Sequence, residues 1–314
     1  MTGAWVVGSG GLIGGSLLKQ LERDGIPLYR PAFGRWSWHD ERQLAEQVSV
    51  AIDGFSRWTV GLSGWSIYWS AGVSGMSSPA TTLARETRHL AALVEGIAGC
   101  EQLLSMSGAL ALVSSAGGVY AGSRMPLISE ETPVAPISPY GFAKLEQEAL
   151  LSNPALQAAG CKRLLARVST VYGPSQATGG RQGLISQLAR CAVTGVPARV
   201  FVPLDTVRDY VLAEDVARVI VGSVNCCQPG VAPTVKIVAS ESPSTVAEIL
   251  GLFRRLSRRA LRYTTGVVAA SDLYHWRSRF RSAVMLEQSH VANTPLPLGV
   301  AKALTAARKA WSSP

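Results

Sequence analysis

Residues 4–23 read AWVVGSGGLIGGSLLKQLER: a short apolar run with strand character, a stretch holding five glycines, then residues with helical spacing. Gly8, Gly11 and Gly14 stand three apart where strand gives way to helix. Glycine at such points lets the chain turn sharply, lets backbone approach a phosphate and lets helix pack closely on strand, while the N-terminal end of the helix favours negative charge. A tight turn with no ligand would use the same residues, so the surroundings decide. A strand before and a helix after are the surroundings that a dinucleotide-binding unit requires.

Working outward, short apolar runs alternate with helical patterns as far as Val171. The strand candidates are AWVV from Ala4, PLYRPAF from Pro27, SIYWS from Ser66, LALVS from Leu110 and RLLARV from Arg163. Helical spacing covers Leu12 to Arg23, Asp40 to Ile52, Pro79 to Ile97 and Pro139 to Leu151, the third carrying Leu83, Leu90, Leu93, Val94 and Ile97 on one face. Repeated strand–helix units of this kind predict an α/β fold, a Rossmann doubly wound parallel sheet. After Tyr172 the order changes: a Gly/Pro-rich loop, a helix from Gly183 to Val193, a strand ARVFV from Ala198, the AEDVARVI stretch, a strand TVKIV from Thr234, a helix from Thr245 to Arg258 and an irregular basic tail. The expected division is a dinucleotide-binding domain over 1–172, to which 209–240 returns, and a smaller, discontinuous substrate-binding part over 173–208 and 241–314.

The chain has 314 residues, 47% of them hydrophobic and 16% charged, which supplies a buried core and excludes disordered, collagen-like and coiled-coil classes. It has no uninterrupted apolar run of about 18 residues, so no membrane partner is expected. The start, MTGAWVVGSGGLIGG, lacks the basic region of an export signal, which predicts a cytoplasmic protein. Five scattered cysteines with no C-x-x-C spacing read as reduced thiols, and four histidines without ligand spacing predict no metal. The net charge of +9 comes mainly from 24 arginines, and without a recognition motif it suits an anionic small ligand better than nucleic acid.

An acidic residue about 20 positions past the glycine turn commonly holds the adenosine ribose of NAD. Here YRPAFGRW has Arg30 and Arg35 and no acid before Asp40. Arginine suits the 2'-phosphate of NADP, so the cofactor is NAD or NADP with NADP favoured, Arg35 standing ahead of Arg30. Tyr140 and Lys144, in SPYGFAKLEQE, share one face of a helix one turn apart. A phenol titrates near 10, so proton exchange near neutrality needs a neighbouring positive charge, which Lys144 can supply. His39, His89, His275 and His290 read as structural or surface residues, and most of the tryptophans as core or pocket wall.

The glycine turn, SSAGGVY from Ser114, YGFAK from Tyr140, RVSTVYGP from Arg167 and VRDYVLAEDVA from Val207 occur in this order. Together they resemble the extended short-chain dehydrogenase/reductase family, specifically its NAD-dependent epimerase/dehydratase group acting on nucleotide sugars. The resemblance covers about residues 4–222. It implies Tyr140 as acid/base, Lys144 on the nicotinamide ribose, and Ser115 on the reacting sugar oxygen, with Ser114 a competitor. It implies Gly8, Gly11, Leu12, Ile13, Gly14, Arg35 and Ala71 on the cofactor. On a sugar diphosphate it implies Arg208 and one of Arg277, Arg279 and Arg281, with Arg279 preferred. Asp209 and Asp215 are expected to fix a loop and cap a helix, and Tyr172, Gly173 and Pro174 to shape the pocket. The resemblance also implies a homodimer. Where the family often has His-x-Ala-Gly, this chain has WSAG from Trp69, an aromatic wall in place of a polar contact. Ala116 and Gly117 replace the Asp-Glu pair of the dehydratases, so loss of water from the sugar is not expected. The reading is a nucleotide-sugar epimerase working at C4 through a 4-keto intermediate. Alternatives are an NADPH-dependent 4-keto-sugar reductase and a catalytically silent dinucleotide-binding module.

Overall fold

The computed structural model describes residues 1–174, 183–257, 260–266, 279–290 and 294–312. Along the chain run β1 (Thr2–Val7), α1 (Leu12–Arg23), β2 (Leu28–Tyr29), α2 (Glu41–Trp58), β3 (Gly64–Trp69), α3 (Ala80–Ala98), α4 (Glu101–Leu104) and β4 (Ser107–Ser115). Then come α5 (Ala116–Val119), α6 (Pro139–Leu150), α7 (Pro154–Ala158), β5 (Lys162–Val168), β6 (Thr170–Tyr172), α8 (Leu184–Thr194), β7 (Ala198–Val200) and β8 (Val207–Leu212). The chain closes with α9 (Ala213–Cys226), β9 (Thr234–Val238), β10 (Pro243–Thr245), α10 (Val246–Leu256), β11 (Tyr263–Thr265), α11 (Leu286–His290) and α12 (Leu296–Ser312). Among the described residues no helix is long and apolar enough to cross a membrane.

Two compact units divide the chain. The first comprises Met1–Ser123, Pro133–Arg167 and Ala217–Lys236. Its six-stranded parallel sheet has the order β2-β1-β3-β4-β5-β9, the Rossmann arrangement expected from the alternating pattern. The order reverses at β1, with β2 on one side and β3 on the other, so a crevice opens at the carboxyl ends of β1 and β3. Trp5, Val7, Ile67 and Leu110 from the strands meet Phe55 of α2 and Leu90 of α3 in one apolar core. Here β2 is far shorter than PLYRPAF suggested: only Leu28 and Tyr29 pair, with Ala4 and Trp5. Pro31 has no N–H to give a ladder, which ends the edge strand early. Helix α2 runs on past Ile52 to Trp58, because Phe55 continues the buried stripe of Leu44, Val48, Ala51 and Ile52.

The second unit comprises Arg124–Thr132, Val168–Val216 and Ile237–Pro314. In it β8 runs parallel to β6 and antiparallel to β10, and β11 pairs in parallel with β7. Helices α8, α10 and α12 enclose a core of Ile185, Leu188, Ile249, Phe253, Val300 and Leu304. A capping box starts α10, Thr245 Oγ1 accepting from the Glu248 N–H and the Glu248 carboxylate from the Thr245 N–H. The tail beyond Arg258 is not irregular throughout. Residues 296–312 form α12, which buries Gly299, Val300, Ala303, Leu304 and Ala307 as one stripe.

Candidate active site

The site begins where β1 ends. Gly8 has φ +88°, a conformation open to glycine, and its carbonyl accepts the Gly11 N–H at 3.0 Å. A Cβ on Gly8 would stand 2.5 Å from the Ala71 nitrogen, and one on Gly14 would strike the Gly8 carbonyl. The turn is therefore drawn against the segment after β3, where the Ser70 N–H and hydroxyl both donate to the Val7 carbonyl at 2.9 Å. Gly11 caps α1, and Leu12, Ile13 and Gly14 form its first turn, whose N–H groups lack partners within the helix.

Beside this turn lies a cavity of about 330 Å³. Gly8, Gly10 and Gly11 form one side, and Trp69, Ala71 and Gly72 another. A third side is a single face of α3, presenting Thr82, Arg85, Glu86 and His89, opposite the 36–39 loop with Trp38 and His39. Glu86 accepts the Val73 and Ser74 N–H groups at 2.7 and 3.0 Å, which fixes the loop after β3. Trp69 is buried and meets Trp38 edge-on, ring centroids 6.3 Å apart, an aromatic wall as the sequence suggested. His89 is 5% exposed, and its Nε2 has no hydrogen-bond partner among the described residues. Burial pushes the imidazole below its ordinary value, and the charge of Arg85 adds to the effect. A glycine cradle at the start of α1 beside flat aromatic surface fits a ligand with a phosphate and a flat ring.

Arg35 lies exposed outside this cavity, its carbonyl accepting from Gln47 Nε2 at 3.0 Å, and Arg30 is paired with Glu22 on the surface at 3.2 Å. The cation that lines the cavity is Arg85, which no motif marks. His89 was readable only as a polar interruption beside the apolar stripe of α3.

Ser115, Tyr140 and Lys144 all fall in the first unit. Ser115 ends β4 and caps the single turn α5, accepting the Gly118 N–H at 3.1 Å. A Cβ on Gly118 would stand 3.0 Å from the Tyr140 ring, so this glycine lets the phenol lie on the α5 backbone three residues from Ser115. Ser138 caps α6, and Pro139 opens it ahead of Tyr140. One turn on, Lys144 is buried with its ammonium 5.6 Å from the centre of the Tyr140 ring and donates to Gln147 Oε1 at 2.9 Å. Gln147 donates to Thr87 on α3 at 3.4 Å, which ties the two helices.

Ser114 faces the other way. Its hydroxyl donates to Glu148 at 2.6 Å, and Glu148 is held by Arg167 at 2.7 Å, all three buried. Arg167 also donates to the Tyr120 hydroxyl at 2.5 Å.

The expected diphosphate arginines belong to the second unit. Arg208 is half-buried on β8 opposite Ser244. Arg279 and Arg281 are exposed on either side of buried Phe280, bonded through their backbones to Ile128. Arg277 lies outside the described residues. Asp209, fully buried, accepts from Ser169 at 2.7 Å and from the Ser240 N–H at 2.8 Å, and burial keeps its carboxyl above the ordinary range. It fixes a loop, whereas Asp215 holds the N–H and hydroxyl of Thr294 at 2.7 and 3.0 Å, just before α12. Tyr172 is buried against Gly299, where a Cβ would strike its hydroxyl, so it packs α12 within this unit.

Residues 70–235 match the model of the NAD dependent epimerase/dehydratase family. Over 120 residues the chain is 29% identical to dTDP-4-dehydro-6-deoxyglucose reductase of Escherichia coli, which covers 38% of this chain and 35% of that protein. Over 104 residues it is 32% identical to UDP-glucose 4-epimerase of Mycolicibacterium smegmatis (strain ATCC 700084 / mc(2)155), 33% of each. The chain thus spans about a third of the length of the curated relatives it matches. Among solved structures, UDP-glucose 4-epimerase of Thermus thermophilus in complex with NAD superposes with a TM-score of 0.77 at 20% identity, covering 99% of this chain and 100% of that one. The structure of RMD from Pseudomonas aeruginosa complexed with NADPH gives 0.75 at 19%, with the same coverage. At these identities the structural likeness shows the fold.

Proposed function

Because the chain belongs to the NAD dependent epimerase/dehydratase family, we propose that it is a nucleotide-sugar epimerase dependent on NAD or NADP, inverting C4 of the hexose through a 4-keto intermediate. The observation that carries this reading is the packing of Tyr140 on Gly118, close in sequence to Ser115, with the Lys144 ammonium above the same ring. The relatives that support it are an epimerase and a reductase.

Tyr140, as phenolate, takes the proton of the C4 hydroxyl, and Ser115 hydrogen-bonds the same oxygen. In this reading Lys144, its ammonium 5.6 Å from the centre of the Tyr140 ring, holds the nicotinamide ribose. The bound dinucleotide supplies a hydride acceptor and donor. Once the keto sugar has turned over, Tyr140 returns the proton to the C4 oxygen, which completes inversion. Ser115 is preferred to Ser114 because the Ser114 hydroxyl is spent on Glu148. Gly8, Gly11, Leu12, Ile13, Gly14 and Ala71 hold the cofactor, while Arg208 and Arg279 bind the sugar diphosphate. In this reading 1–172 with 209–240 takes the dinucleotide, and 173–208 with 241–314 takes the sugar nucleotide. We assign it to the cytoplasm as a homodimer, the latter open to test by light scattering.

The same residues serve a one-way 4-keto-sugar reductase, favoured by the lack of an acid between Tyr29 and Asp40 and by Arg85 in the cavity. Mass analysis of dinucleotide released on denaturing the purified protein separates the two. Stoichiometric NAD supports the self-recycling epimerase, and an empty protein that binds NADPH reversibly supports the reductase. Tyr140→Phe should keep dinucleotide binding within about twofold and lower turnover by a factor of about 10² or more. Full activity in that variant would remove Tyr140 from the mechanism.

A further inference from the structure

Gln147 is a buried amide where α6 meets α3, and it is 2% exposed. An amide at that depth costs free energy unless its oxygen and its NH2 group are both met. Lys144, one turn earlier on α6, is 8% exposed and carries donors only. Among the described residues its ammonium has one hydrogen-bond partner, the Gln147 Oε1 at 2.9 Å. The Gln147 Nε2 donates to Thr87 Oγ1 at 3.4 Å, and the Thr87 hydroxyl donates in turn to the Leu83 carbonyl at 3.3 Å. An ammonium cannot accept, and the Thr87 proton is spent on Leu83, so one orientation of the amide satisfies both neighbours, with its oxygen on the lysine. The chain of donors therefore runs one way, from Lys144 through Gln147 and Thr87 to Leu83.

We propose that Gln147 is a positioning residue for Lys144, its amide oxygen holding the ammonium beside the Tyr140 ring. The flexible stem of a lysine gives it many conformers, and one fixed acceptor selects among them. With one N–H on Gln147, two remain for the ribose hydroxyls that the reading above gives to Lys144. An aliphatic side chain at 147 would leave the ammonium buried with no acceptor among the described residues. Thr87 stands next to Glu86, which fixes the loop after β3, so α3 steadies both the cavity wall and, through Gln147, the lysine. The pairing of Gln147 with Lys144 stands on these contacts, whereas its effect on a ligand rests on the dinucleotide reading above.

Calorimetry of the full chain with NAD, NADP and 5'-AMP, the last lacking the nicotinamide half, tests it. Gln147→Leu should weaken the preferred dinucleotide about fivefold and leave 5'-AMP within about twofold of the wild type. Gln147→Glu, which keeps an acceptor for the ammonium, should recover most of the loss. A leucine variant that binds dinucleotide as tightly as the wild type, or that loses 5'-AMP to the same degree, would overturn the assignment, as would a glutamate variant no better than the leucine one. Should the leucine variant fail to fold, the side-chain ¹⁵N resonance of Lys144, assigned through Lys144→Arg, decides: a shift in Gln147→Glu is expected, since a carboxylate replaces the amide as its partner, and an unmoved signal overturns it. A wild type that binds neither dinucleotide nor 5'-AMP would instead overturn the cofactor reading, and the same resonance would still test the pairing.

Discussion

Two adjacent serines end β4 with opposite duties. Ser114 is locked into the buried Glu148–Arg167 pair, whereas Ser115 is half-buried above α5. Ser114→Ala should cost about 1 kcal/mol in a urea melt and leave turnover nearly intact. Ser115→Ala should cost a similar amount through the lost cap and, in addition, lower turnover by a factor of about 10 to 100. The reverse pattern would exchange their roles. Arg167→Met leaves the buried Glu148 carboxylate without its cation and should cost about 3–5 kcal/mol, which the same melt would read. His89 gives a pH signature. Buried and held neutral, it has a folded pKa below that of the unfolded chain, which takes up its proton near pH 6.5. Below that pH the unfolded state binds more protons, so stability falls as the pH drops toward the folded value. His89→Phe should lack that part of the slope in melts between about pH 7 and 5.

At the scale of elements, the glycine turn makes the sharpest prediction. Gly14→Ala would drive a methyl into the Gly8 carbonyl and should weaken dinucleotide binding at least about tenfold, whereas Gly10→Ala meets nothing within 4 Å and should melt like the wild type. Tryptophan fluorescence is the natural readout, since Trp38 and Trp69 line the cavity. The turn and its helix were legible because Gly8, with its positive φ, and Gly14, with no room for a Cβ, meet a requirement that few other residues can. The same holds for α6, announced by the cap Ser138 and by Pro139. What escaped was set by packing. The α12 stripe is mostly Gly and Ala, which barely registers as apolar periodicity, and its close fit appears only once Tyr172 is seen against Gly299. Arg35 was chosen for its distance from the turn, yet the early end of β2 at Pro31 leaves it outside the cavity. Arg85 and His89 of α3 line it instead, on a helix that carries no recognisable motif.

For the whole molecule, ordered sequence motifs mark the family, and folding decides which of their residues meet. Residues from β1, α3 and the loops after β2 and β3 build one cavity, and Gly118 lets the Tyr140 ring pack on the turn that Ser115 caps. If that cavity holds the cofactor, dinucleotide at about 100 times its dissociation constant should stabilise the protein by about 2.7 kcal/mol, seen as a raised melting temperature. The central claim, inversion at C4 through Tyr140, is tested most directly by proton NMR. Wild type and Tyr140→Phe would each be incubated with a panel of nucleoside-diphosphate hexoses and either dinucleotide. The account predicts that the wild type inverts C4 of at least one sugar, visible in the H4 coupling, and that Tyr140→Phe leaves the same sugar unchanged. A wild type that inverts none of them, or a phenylalanine variant that inverts one at the wild-type rate, would contradict it.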